Sequence, residues 1–111
     1  MEWYAAKCIF KHHPDSTNAL KALYEERVVL FQAQNFDDAV NQAEAEAAEY
    51  CADSGRCAYV GYVDIYHLPE DHVGHRVEVY SLMRESSLSA DEYLNRFYDT
   101  GNERTQSFDN G

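Results

Sequence analysis

At 111 residues, 45% apolar and 14% aromatic, the chain is the size of one domain and too rich in core formers to stay unfolded. Twenty acids against nine Lys and Arg give a formal net charge of −11, a field that repels phosphate backbones, argues against nucleic-acid binding and attracts basic partners. No apolar run is long enough to span a bilayer, no basic amphipathic stretch lies ready for a membrane surface, and no basic-then-apolar leader opens the chain, so the expected location is cytoplasmic.

Trp3 to Phe10 (WYAAKCIF) reads as a strand, apolar except at Lys7. Residues 11–23 are polar around His12, His13, Pro14 and Asp15 and read as a loop or a short helical turn at ALKAL. Glu25 to Ala33 (EERVVLFQA) is a second strand, rich in β-branched and aromatic residues. Asn35 then suits a helix N-cap, with Asp37 and Asp38 in the first turn. Phe36, Ala39, Val40, Ala43, Ala47, Tyr50 and Cys51 recur at threes and fours, the pattern of one buried helix face, and Gly55 suits a left-handed stop. Tyr59 to Leu68 is a third strand, with Gly61 marking a bulge or a close packing contact, and Arg76 to Arg84 (RVEVYSLMR) a fourth. Ser89 to Glu92 is a capping box before a short helix carrying Tyr93, Leu94, Phe97 and Tyr98.

The order β-β-α-β-β-α predicts an α+β fold: a four-stranded antiparallel sheet with the long helix on one face and a short C-terminal helix. Residues 1–98 form the expected single domain, and 99–111 a flexible polar tail. Cys8, Cys51 and Cys57 are odd in number and lack a C-x-x-C, a pattern expected of free thiols in a reducing compartment.

WYAAK (3–7), YEERVVL (24–30), YVGYVDIY (59–66) and VEVYS (77–81) together resemble the family grouped as domain of unknown function 4288. The resemblance implies a small bacterial, cytosolic α+β protein and no transferable activity. Recurrent polar positions of that family match Lys7, Glu25, Glu26, Arg27, Asp64 and Glu78; the histidines of the 67–75 stretch lie outside its pattern.

Four features could carry chemistry. His67, His72 and His75, in HLPEDHVGH, are candidate metal ligands, but H-x4-H-x2-H is not a zinc spacing and Leu68-Pro69-Glu70-Asp71 is turn chemistry, so a solvated hairpin loop is expected. His12-His13 reads as a loop pair for the same reason. Lys7, Glu26, Arg27, Asp64 and Glu78 could form a polar cluster or ordinary cross-strand ion pairs, although alternation separates Glu26 from Arg27. Cys8 and Cys51 read as core, and Cys57 lies beside Arg56, which would lower its pKa slightly.

No catalytic motif or cofactor signature appears, so neither catalysis nor a cofactor is expected. Between Arg27 and Arg56 there is no basic residue, whereas Asp37, Asp38, Glu44, Glu46, Glu49 and Asp53 all fall there. Asp38, Gln42, Glu46, Glu49 and Asp53 form one helix ridge, at a cost of roughly 0.2–0.5 kcal/mol per like-charge pair.

The leading expectation is a small acidic protein that docks a basic protein partner through Asp38, Glu46, Glu49 and Asp53, in the manner of an immunity protein or antitoxin. The alternative is a self-associating homodimer or small-ligand module built on Tyr62, Tyr66 and Tyr80. A metalloprotein built on the histidine stretch ranks third.

Overall fold

A computed structural model describes residues 1–12, 22–55, 57–69 and 71–103. The elements are β1 (Glu2–His12), β2 (Leu23–Ala33), α1 (Phe36–Ser54), β3 (Cys57–His67) and α2 (Ala90–Phe97). His13, Pro14, Asp15, Arg56 and Glu70 lie outside the described residues, as do most of ALKAL and the last eight residues of the expected tail. By backbone contacts the chain divides into two compact units, Met1–Ser81 and Leu82–Gly111.

The first unit is a three-stranded antiparallel sheet in the order β2-β1-β3. This corrects the expected four-stranded sheet. The stretch expected as a fourth strand, 76–84, makes no ladder, and Val77 N–H turns back locally to the Gly74 carbonyl. Alternation gave VEVYS the look of a strand, yet it is held beside β3 by side chains. The Tyr66 hydroxyl donates to Glu78, and the Tyr80 hydroxyl donates to Asp64. Side-chain periodicity alone does not form a ladder, which needs backbone groups in register.

β1 is the central strand because it is apolar on both sides. Tyr4, Ala6, Cys8 and Phe10 point to the helix face, where all four are buried, and Ala5 is buried on the opposite face. Gly61, at φ 86°, lies where the β1–β3 register slips between Cys8 and Phe10, so the bulge falls on a residue without a Cβ penalty.

α1 begins and ends as its sequence predicts. The Asn35 side chain accepts from Asp38 N–H at 2.8 Å, and Gly55, at φ 68°, closes the helix with its N–H on the Cys51 carbonyl. Its buried residues are Ala39, Ala43, Ala47 and Cys51, one every turn, so the helix meets the sheet through small side chains. Large apolar volume comes from the sheet, above all Phe10, whose ring lies 5.0 Å from Tyr50 and 5.8 Å from Tyr59. Tyr4 anchors the other end, against Phe36 and His67.

The expectation of free thiols is also corrected, because Cys51 and Cys57 are joined as a disulfide and only Cys8 is free. Counting cysteines could not reveal that the left-handed turn at Gly55 brings the helix end back onto the start of β3, with the two Cα atoms 5.0 Å apart.

In the second unit the Ser89–Glu92 capping box forms with both reciprocal bonds. Arg84 lies over the Phe97 ring at 4.2 Å and donates to the Tyr93 hydroxyl at 2.7 Å. No residue of α2 is buried, and Leu94, Phe97 and Tyr98 are exposed.

Candidate functional site

Two polar faces of the sheet and the ridge of α1 hold nearly every residue singled out by the sequence. On the face away from α1, Lys7 of β1 stands opposite Asp64 of β3 in the ladder. Its ammonium lies 2.8 Å from Glu26 of β2 and 5.4 Å from the centre of the Tyr80 ring. Lys7, Glu26 and Asp64 therefore share a face, and Glu78 reaches it through Tyr66. Arg27 does not join them, because alternation sends it to the other side.

On the helix face Arg27 forms a two-pronged bond to Glu46 of α1, at 2.7 and 2.8 Å, and its guanidinium stacks 3.9 Å from the Tyr50 ring centre. The Tyr50 hydroxyl donates to Glu25, which also pairs with His12 at 2.8 Å. β2 and α1 are thus stitched by a continuous polar seam of His12, Glu25, Tyr50, Arg27 and Glu46. Sequence reasoning missed it. The signal available was the alternation of Glu25 and Arg27 on one strand face, opposite an acidic helix.

The seam takes up much of the expected ridge. Asp38 accepts from Gln34 N–H at 3.0 Å and from the Gln42 side chain at 3.3 Å, while Gln42 also donates to the Gln32 carbonyl at 2.9 Å. Asp38, Gln42 and Glu46 consequently face β2. Glu49 and Asp53, further along, are exposed. On the β3 side, exposed Glu44 accepts from the Tyr59 hydroxyl at 2.9 Å.

The histidines do not converge. His67 closes β3, stacks on Tyr4 and pairs with Glu2. His72 lies against Asp71 and holds that carboxyl below its usual range. His75 is exposed, and among the described residues no group of three His, Cys, Asp or Glu could hold a metal ion. The stretch leads from β3 into irregular chain rather than into a second hairpin strand. Cys8 is buried in the core, and that burial pushes its thiol up, away from the reactive thiolate.

Several phenols sit against carboxylates. Burial and then the bond to Glu44 push Tyr59 well above the ordinary phenol range, and burial and Asp64 do the same for Tyr80. Burial and Glu25 raise Tyr50, and the bond to Glu78 raises Tyr66. A phenol whose folded value lies above its unfolded value of about 10 gives stabilisation that is complete below that pH and is lost as pH rises toward the folded value. Alkaline unfolding is therefore expected to begin above about pH 10, with phenolate absorbance at 295 nm and loss of circular dichroism rising together. Full ionisation of all tyrosines near pH 10 with the fold intact would contradict this.

No curated protein and no solved structure matches the chain. A family model described as "Domain of unknown function (DUF4288)" matches residues 3–81, which takes in the sheet, α1 and the contact stretch at Glu78 and Tyr80. The chain belongs to that family.

Proposed function

We propose that this domain is a non-catalytic binding module that docks a basic protein surface on the acidic face of α1, in the manner of a small intracellular inhibitor or immunity protein. The observation that carries the reading is the position of Glu49 and Asp53. Both are exposed, neither is in an ion pair among the described residues, and they occupy the last turns of a helix with no basic residue in its final turn. The helix dipole is negative there, so acids cost stability and cations would be favoured. A cationic partner relieves that cost. Asp38 and Glu46, already engaged with β2, shape the face rather than lead the contact.

Reversal of both acids, Glu49→Lys with Asp53→Lys, separates binding from folding. The doubly reversed protein is expected to melt at an equal or higher temperature, the change at Asp53, in the last turn, contributing about 0.3–1 kcal/mol of helix stability. It should also lose a basic partner retained from host lysate at low salt. Equal retention of that partner by both proteins at low salt would sink the reading.

A second reading is self-association through the sheet face opposite α1, favoured by the exposure of Tyr24, Val28 and Tyr62 beside the polar cluster. Tyr66 and Tyr80 are spoken for by Glu78 and Asp64, which leaves Tyr62 as the aromatic best placed for a two-fold contact. Sedimentation that gives a monomer mass across a wide concentration range would remove it.

A further inference from the structure

We infer that the Cys51–Cys57 disulfide is a reversible redox latch, opened by dithiol reductants, that fastens the C-terminal end of α1 to the start of β3. The first reason is the thinness of the packing it reinforces. α1 meets the sheet through Ala39, Ala43 and Ala47, so near its end the Tyr50 ring and the sulfur bridge are the substantial attachments. The second is the shortness of the loop. The two cysteines are six residues apart, and closing so short a loop removes less chain entropy than a long-range crosslink does, so the bond is less shielded from reduction than long-range structural disulfides are.

The third reason is access. Cys51 is 8% exposed and belongs to the core, whereas Cys57 is half-buried and flanked by exposed Asp53, Ser54, Gly55 and Ala58. An incoming thiolate therefore meets Cys57 first. The Ser54 hydroxyl lies 3.8 Å from the Cys57 sulfur, placed to donate to it when it carries charge. The fourth is tolerance of both states. Cys51 takes the next position in the Ala39, Ala43, Ala47 series, where a free thiol packs as a small apolar side chain. Opening the bond thus frees the helix end without requiring the sheet to unfold.

The exchange balances with a dithiol as co-reactant. Its first thiolate bonds to the Cys57 sulfur as the Cys51–Cys57 bond breaks, and Cys51 leaves with the electron pair and takes up a proton. The second thiolate then attacks the mixed disulfide, and Cys57 leaves with the second pair and a proton. The reductant departs as its own disulfide. Cys8, buried and beside Tyr59, takes no part. Glu49 and Asp53 ride on the turns that are released, but the latch does not depend on their docking a partner.

The test is a titration of the full chain in mixtures of reduced and oxidised dithiothreitol, quenched by alkylation, read by mass and by hydrogen exchange. Cys51 and Cys57 should become alkylated together, without denaturant and in a single two-electron transition, while Cys8 stays protected. Amides across 47–55 should exchange on the order of tenfold faster in the reduced protein, with β1 unchanged, and its melting temperature should fall by roughly 5–15 °C. The Cys57→Ser variant should reproduce the reduced behaviour in oxidised buffer; if it does not fold, the wild-type titration still decides. Three results would overturn the latch: no disulfide at the oxidising limit, reduction only in denaturant, or equal exchange across 47–55 in both states.

Discussion

Phe10→Ala is expected to destabilise the domain by about 3–5 kcal/mol, a large share of the total stability of a domain this small. The ring is fully buried on the helix face of the middle strand, near its C-terminal end. It is edge-on to Tyr50 from the helix and tilted against Tyr59 from β3, so one side chain ties three elements together. The helix cannot settle into the space left behind, because the residues it would bring, Ala43 and Ala47, are already in contact with the sheet and carry only a methyl group each. Little relaxation means a large residual cavity, which places the cost toward the upper end of the range. Urea unfolding of the variant should show a lower midpoint with an unchanged slope. A loss below about 1 kcal/mol would mean that Tyr50 and Tyr59 close over the gap.

The same contrast between a small-residue helix and a large-residue strand explains what the sequence made legible. α1 was readable from end to end because its signals are local: Asn35 caps, Gly55 stops, and Ala39, Ala43, Ala47 and Cys51 repeat at the helical period. β1, β2 and β3 were readable from their composition, within a few residues at each end. The stretch 76–84 was misread because alternation reports which side chains share a face, not whether a neighbour's backbone accepts the strand. The Cys51–Cys57 bond and the His12–Glu25–Tyr50–Arg27–Glu46 seam were out of reach for a related reason. Each depends on which residues β2, α1 and β3 bring together in space. The acidic ridge shows the limit well: its spacing was right, but Asp38, Gln42 and Glu46 turn to β2 instead of to solvent.

Arg27 is the residue on which that seam turns, and Arg27→Ala is expected to cost about 1.5–3 kcal/mol. The guanidinium is about one quarter exposed and Glu46 under one third, so the pair is neither a solvated surface bridge nor a fully buried one. Both prongs are short, and the planar cation also covers the Tyr50 ring. Removing it leaves a half-buried carboxylate without its partner, uncovers an aromatic face, and places Glu46 near Glu25 with no cation between them. Arg27→Lys should recover less than half of the loss, because an ammonium cannot form the two parallel bonds or stack flat on the ring. Glu46→Gln should be milder than Arg27→Ala, since an amide oxygen still accepts one bond from the arginine. A double-mutant cycle on the two positions is expected to give a coupling of about 1–2 kcal/mol that changes little between low and high salt. A coupling of a few tenths of a kcal/mol that vanishes in salt would mark an ordinary surface bridge, and Glu46 would then be free to lead the docking contact alongside Glu49 and Asp53.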